Sequence, residues 1–354
     1  MLRPLAALLA VLFWPIGSFR EATTLCNAAD KATQPGDLKS RAWRAALRGN
    51  VPPSEFGSYG LWRDGAPPPD SWLYMTESSL LTAHLTDRSA IDLTGDKAGF
   101  ADFCSEHGSL AVLPTLAIYA NGTAARPFET GHPPESDLVT KPVRGTHSKG
   151  FQAWAYADGS YACISDATDI QVAKDRFGQH IADQSRKFPK GLLVQPRLTS
   201  HPDLANLQEA GPPVARIITA RWRDKRTEVI DAILQRPAPG RHLLVSGGMR
   251  LIDIQTGRTR DVPEGPHLFP AQINDCAFDN LTLPDWDRCL VELPRIHAAI
   301  PGQAPLLGWD LIFAPDGPTI LEANTTIAPY FFQTAGQAPA ADGKWAQVLA
   351  EYVL

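Results

Sequence analysis

No CxxC pair, no HExxH helix and no GxSxG turn occurs in this sequence. Each absence removes a class of chemistry. Five cysteines, at 26, 104, 163, 276 and 289, are an odd and scattered set. They form no disulfide framework, and reduced thiols in a cytoplasmic protein are the expectation. The nine histidines never gather with cysteines at zinc spacing. The missing GxSxG removes the nucleophile elbow of serine hydrolases. A basic excess is missing too. The net charge of -5 argues against a surface that grips nucleic acid, so no nucleic-acid partner is expected. Internal repeats and low-complexity tracts are absent, and long apolar runs are scarce. The notable one is "PLAALLAVLFWPIGSF", residues 4–19. A spanning helix needs roughly 20 apolar residues, whereas Pro15 and Gly17 interrupt this one. No small-x-small cleavage site follows before Arg20. A packed or interfacial helix leads, with weak membrane association through residues 4–19 as its consequence, while a signal and an anchor stay open.

What is present describes a globular chain. Hydrophobic residues make up 44% and charged residues 20% of 354 positions, enough for two or three subdomains around a large core. The 31 prolines fall largely in connecting segments such as "DGAPPPD" and "QRPAPG". Residues 1–60 read as helical, with "LKSRAWRAALRG" stopping at Gly49, and "SWLYMTESSLLTAHLTDRSAI" resumes the helical period. "DLTGDKAGFADFCSEHG" reads as a helix capped by Thr94 or Asp96 and ended by Gly108. From "LAVLPTLAIYANG" onward short strands dominate: "DLVTKPV", "FQAWAYADG", "SYACIS", "GLLVQPRL", "VARIITARWR", "TEVIDAILQR", "RHLLVS" and "MRLIDIQTG". A helix over "PDWDRCLVELPRIHAAI" should be kinked or divided by Pro294, and "ADGKWAQVLAEYVL" closes the chain as a helix. The pattern predicts an α+β fold built around a cleft.

The most informative stretch is "LLGWDLIFAPDGPTILEAN", residues 306–324. It reads as a hairpin of two apolar strands, yet it carries Asp310, Glu322 and Asn324. Side chains alternate along a strand, so Glu322 and Asn324 share a face, and the turn brings Asp310 opposite them. Unpaired charges between apolar flanks would cost several kcal/mol, roughly. Two carboxylates and a carboxamide oxygen form instead a hard-oxygen site suited to Mg²⁺, which completes its shell with water and phosphates.

Asp310, then Glu322-x-Asn324 twelve positions later, resembles the metal-binding end of the ATP-grasp superfamily. The stretch is most similar to its sugar-transfer-associated group, related to alpha-L-glutamate ligases. The resemblance covers roughly residues 50–340. It implies an ATP-grasp fold, two α+β subdomains gripping ATP, with a helical N-terminal region over 1–80. The ATP-grasp domain would span 81–340, with a lid subdomain at about 110–195, a metal-binding subdomain at about 196–335, and a C-terminal helix at 341–354. Carried over, Asp310, Glu322 and Asn324 would hold one or two Mg²⁺, or Mn²⁺, on ATP. Lys97 in "TGDKAGF" and Lys141 in "DLVTKPVRGTHSKGF" would grip phosphates. Gly145, Ser148 and Gly150 would belong to a lid loop whose backbone N–H groups approach them. Gln195 would face the adenine amino group, with Pro196 and Leu198 supplying backbone hydrogen bonds. Relatives tend to have glutamate where Gln195 stands. Arg216 in "VARIITARWR" and Arg236 in "AILQRPAPG" would carry catalytic charge, although an arginine inside a strand commonly pairs with a carboxylate. Relatives tend to have Asp-Asn before the Gly-Gly, whereas His242 and Leu243 precede it here.

The function so implied is an ATP- and Mg-dependent ligase. It would activate a small-molecule carboxylate as an acyl phosphate for an amine or sugar-linked acceptor, in polysaccharide or peptide modification. An ATP-dependent phosphotransferase and a non-catalytic nucleotide-binding scaffold in surface-polysaccharide assembly are the competing readings.

Overall fold

A computed structural model describes residues 40–46, 51–145, 150–165, 169–238, 247–261, 275–336, 338–341 and 343–353. The segment 4–19, the strand expected at "RHLLVS" and most of the first helical region lie outside the described residues. Among these residues, no helix is long and apolar enough to cross a membrane.

Helices come first: α1 (Pro53–Ser58), α2 (Met75–Leu85), α3 (Arg88–Gly95) and α4 (Lys97–His107). The cap of α4 is Asp96, whose carboxylate accepts hydrogen bonds from the Ala98 and Gly99 N–H groups, and Gly108 ends the helix. Ala98, Phe100, Ala101 and Cys104 form its buried face.

Strand β1 (Ala111–Val112) starts the first of two sheets, but the chain leaves it at once for the second. That sheet contains β2 (Ala117–Ala120), β3 (Thr123–Arg126), β4 (Leu138–Pro142), β5 (Gln152–Ala157), β6 (Ser160–Cys163), β7 (Gln171–Ala173) and β8 (Leu192–Pro196). Its order is β3-β2-β8-β4-β5-β6-β7, antiparallel throughout. Between β7 and β8 lies α5 (Lys174–Ser185), a helix that the sequence reading does not place. Its apolar stripe is narrow, Phe177, Ile181 and Ala182, and Gly178 interrupts it. A Cβ at Gly178 would lie 2.8 Å from the Tyr119 hydroxyl, so the glycine lets α5 press against β2.

The chain then returns to the first sheet through β9 (Val214–Arg221), β10 (Thr227–Gln235) and β11 (Met249–Leu251). Helix α6 (Trp286–Ala299) follows, then the hairpin β12 (Leu306–Ala314) and β13 (Gly317–Asn324), then α7 (Pro329–Gly336) and α8 (Lys344–Val353). Pro294 lies within α6 and does not divide it. The sheet order is β1-β13-β12-β9-β10-β11, and only β1 pairs in parallel.

One face of the first sheet packs on α4 and α6 through Phe100, Cys104, Leu293, Ile296, Trp309, Leu311 and Phe313. A polar chain fixes this interface: the Trp309 indole donates to Thr219 Oγ1 at 2.7 Å, and the Thr219 hydroxyl faces His297 Nδ1 at 2.8 Å. His297 Nε2 lies 2.9 Å from the Ala304 carbonyl, which can only accept, so Nε2 carries the proton and Nδ1 accepts from Thr219. Burial pushes the pKa of His297 down to about 3.

The opposite face meets α7 and α8 through Ile218, Ile233, Leu306, Phe332 and Trp345. The second sheet packs on α5 through Trp154, Tyr161, Phe177, Ile181 and Leu192. Residues 113–116 cross between the sheets. Leu113 N–H donates to Ile320 in one, and Leu116 N–H donates to Val194 in the other. The free face of β4 and β8 therefore turns toward the β12–β13 hairpin.

Candidate active site

Alternation decides which side chains reach the cleft. In β12, Trp309, Leu311 and Phe313 point to the α4–α6 core, so Gly308, Asp310 and Ile312 point the other way. Asp310 pairs in register with Glu322 on β13 and with Arg216 on β9, which places three charged residues in one row across three strands. Asn324 pairs with Gly308 in the neighbouring row and so shares that face. Between Glu322 and Ile320 the register slips by one residue, a bulge at Leu321 that restores core packing downstream.

Arg216 grips Asp310 with both arms of its fork, Nε to Oδ1 at 2.7 Å and Nη2 to Oδ2 at 2.8 Å. Burial pushes the Asp310 carboxyl up, and the Arg216 guanidinium opposes that rise. The ring of Phe331, on α7, lies 5.8 Å from the guanidinium carbon. Lys97, the first residue of α4, places Nζ 3.6 Å from Glu322 Oε2 and donates to the Gly145 carbonyl at 3.0 Å.

Lys141 arrives from the second sheet. It pairs with Leu193 across β4 and β8, on the face opposite the α5 core. Burial holds its pKa at about 8, below the ordinary 10.5, with Glu322 and Asp310 raising it and Lys97 lowering it. Lys97, Lys141, Arg216, Asp310 and Glu322 thus form one mutually interacting cluster between the sheets.

Gln195 lies on the same face as Lys141, two residues from Leu193, and is 1% exposed. Its Nε2 donates to the Leu113 carbonyl at 3.1 Å, so the carboxamide is held with Oε1 as the remaining acceptor. That Oε1 is buried without a partner among the described residues. A buried acceptor without a donor costs roughly 1–3 kcal/mol, which a bound group bringing a donor would recover. Pro196 ends β8 opposite Leu138. Leu198 packs with Val214, Ile312 and Leu321 beside the charged row.

Gly145 and Gly150 both have positive φ, 157° and 78°. A Cβ at Gly150 would lie 2.6 Å from the Phe188 ring, so close packing as well as backbone angle selects glycine. Ser148 lies outside the described residues.

Arg236 is bound differently. It follows β10 and donates to Asp275 at 2.6 Å and Glu209 at 2.9 Å. Gly247 and Gly248 are packed against it, and a Cβ at Gly248 would lie 2.6 Å from Asp275 Oδ2. The Gly-Gly therefore makes room for an ion-paired arginine. Sequence reasoning missed this pairing, the engagement of Arg216 by Asp310 itself, and Phe331. The first two join residues 39 and 94 positions apart, beyond any local pattern. The third had a signal in "APYFF", which begins four positions after Asn324.

The donor set suits a hard divalent cation: Asp310, Glu322 and Asn324 offer only oxygen ligands from one face. No group of three His, Cys, Asp or Glu side chains that could hold a metal occurs among the described residues. Two carboxylates and one carboxamide would leave most of a cation's shell to other oxygens.

Solved structures that match this chain include biotin carboxylase from Campylobacter jejuni, at 10% identity and TM-score 0.43, covering 88% of this chain and 59% of that one. D-cycloserine synthetase DcsG is 16% identical with TM-score 0.41, covering 83% and 88%. An ATP-grasp superfamily protein from Archaeoglobus fulgidus is 15% identical with TM-score 0.36; this chain covers 55% of its length and 75% of its own. A search of curated proteins finds no match. The family model described as sugar-transfer associated ATP-grasp matches residues 77–343, about three quarters of the sequence. With an α+β structure of two sheets facing a charged cleft, the chain belongs to the sugar-transfer associated ATP-grasp family.

Proposed function

We propose that this protein is an ATP- and Mg²⁺-dependent ligase that joins a small-molecule carboxylate to an amine or sugar-linked acceptor. The observation that carries the reading is the convergence of Lys97, Lys141 and Arg216 with Asp310 and Glu322 in one cleft between the two sheets. Such a constellation suits a polyphosphate with its cation. Three cationic tips face phosphate oxygens, and oxygen donors stand beside them to hold Mg²⁺. The family relationship supports the same reading.

In the proposed reaction the substrate carboxylate oxygen attacks the γ-phosphorus, the bond to the β-phosphate oxygen breaks, and ADP leaves. The acceptor's nucleophile then attacks the acyl carbon, loses its proton and expels inorganic phosphate. Lys141 and Lys97 hold the phosphates, Gln195 accepts a hydrogen bond from the adenine amino group through Oε1, and Arg216 neutralises charge on the transferred group. Asp310, Glu322 and Asn324 would hold Mg²⁺, which supplies charge neutralisation on the phosphate oxygens. The Gly145–Gly150 segment would close to exclude water, which would hydrolyse an acyl phosphate. Arg236, already paired twice, positions the strand end next to Gly248.

The test is a screen of Mg-dependent ADP release across amino acids, peptides and amino sugars, added alone and in pairs. Release that requires both a carboxylate and a nucleophile supports the ligase. A stable phosphorylated product formed without a nucleophile would move the reading to a phosphotransferase. Binding of Mg-ATP without turnover under every pairing would move it to a scaffold.

A further inference from the structure

The charged row poses a problem for any cation. Both oxygens of Asp310 are already taken by Arg216, at 2.7 and 2.8 Å. The nearer Glu322 oxygen lies 3.6 Å from Lys97 Nζ. Among the described residues the cluster holds three cations, Lys97, Lys141 and Arg216, against two carboxylates, Asp310 and Glu322. One positive charge is therefore in excess before any ligand binds.

We infer that Arg216 is an internal stand-in for the divalent cation, so that the site takes a metal only together with a polyphosphate. The inference rests on the proposed nucleotide site and adds an order of assembly to it. A bare divalent cation entering this cleft meets a net positive cluster and a carboxylate with a hydrogen bond already made to each of its oxygens. A polyphosphate reverses both conditions. Its several negative charges outweigh the excess, and its oxygens offer Arg216 a second set of bidentate acceptors. The guanidinium then turns from Asp310 to phosphate and frees a carboxylate oxygen as the metal arrives. Phe331, 5.8 Å from the guanidinium carbon, keeps the fork near the row while it changes partner. The free protein consequently keeps Asp310 paired without a metal.

Mn²⁺ binding to the full chain tests this by electron paramagnetic resonance at pH 7, with and without a non-hydrolysable ATP analogue. Wild type is expected to bind Mn²⁺ alone at least about tenfold more weakly than Arg216→Met, the effect of removing one contacting cation from a carboxylate site. Wild type should acquire a protein-bound Mn²⁺ signal once the analogue is added. Arg216→Lys, which keeps the charge but loses the fork, should fall between them. Lys97→Met removes a cation without touching Asp310 or strand β9, so it tests the charge excess even if Arg216→Met does not fold. It should also tighten binding of Mn²⁺ alone. Wild type binding Mn²⁺ alone as tightly as with the analogue would overturn the inference and leave the metal site standing. No protein-bound Mn²⁺ in any combination, with Glu322→Gln indistinguishable from wild type, would remove the metal reading and this inference together.

Discussion

Lys141→Met should make the ligand-free protein more stable while removing its response to nucleotide. Burial holds the Lys141 ammonium at about 8 rather than 10.5. At about 1.36 kcal/mol per pH unit, that difference costs the folded state roughly 3 kcal/mol at neutral pH. The sign follows from linkage. The unfolded chain binds this proton more tightly than the folded one, so the cost is complete below about pH 8. It shrinks as pH rises toward 10.5 and then vanishes. Methionine keeps most of the volume and carries no charge. Urea unfolding at pH 7 should therefore place the variant up to about 3 kcal/mol above wild type, and at pH 9.5 only about 1 kcal/mol above it. Saturating Mg-ATP at a hundredfold its Kd should stabilise wild type by about 2.7 kcal/mol, whereas the variant should gain little. A variant less stable than wild type at pH 7, or one that keeps the full response to Mg-ATP, would refute the argument that this charge is held buried for a phosphate.

Other expectations follow from neighbouring residues. Gln195→Leu should weaken ATP binding by about tenfold, the scale of one hydrogen bond, and should reduce discrimination against GTP, whose base presents an acceptor to Oε1; competition binding measures both. Glu322→Gln should remove most of the Mg²⁺ dependence of nucleotide affinity in titration calorimetry, and unchanged affinity would count against the site. His297 folds with its pKa near 3 against an ordinary 6.5. The unfolded chain therefore takes up the proton first, and stability should fall as pH drops from 6.5 toward 3; in His297→Gln the urea midpoint should change less over that range. Gly150→Ala places a β-carbon against Phe188 at a residue with φ of 78°, so it should lower the unfolding temperature by several degrees and disturb the lid end of the nucleotide site.

Several features of the fold were legible because their causes are local. Asp96 caps α4 because its short carboxylate reaches the N–H groups of Ala98 and Gly99. The hairpin carrying Asp310, Glu322 and Asn324 follows from two apolar runs separated by "PDG". Helix α5 was not legible, because Phe177, Ile181 and Ala182 make a stripe too narrow to stand out among polar residues and a glycine. Its stability comes from Tyr119, Trp154 and Tyr161 on the sheet beneath it. Pro294 was expected to kink or divide α6, yet the helix runs through it, since buried Leu293 and Ile296 anchor both sides of the proline.

By itself the sequence determined residue chemistry and spacing along each strand: which oxygens share a face, which lysine ends a strand, and which family these motifs resemble. Alternation and spacing are properties of a single backbone, so they need no partner to be read. The tertiary structure decided who pairs with whom. It set Arg216 on both oxygens of Asp310, gave Arg236 to Glu209 and Asp275, and spent the Gln195 amide on Leu113. Those choices depend on sheet register and on the crossing of the chain between two sheets, which bring residues from distant segments within hydrogen-bonding distance. Electrostatics acts through space, so the charge balance of this cleft is fixed only once the fold has brought its five charges together.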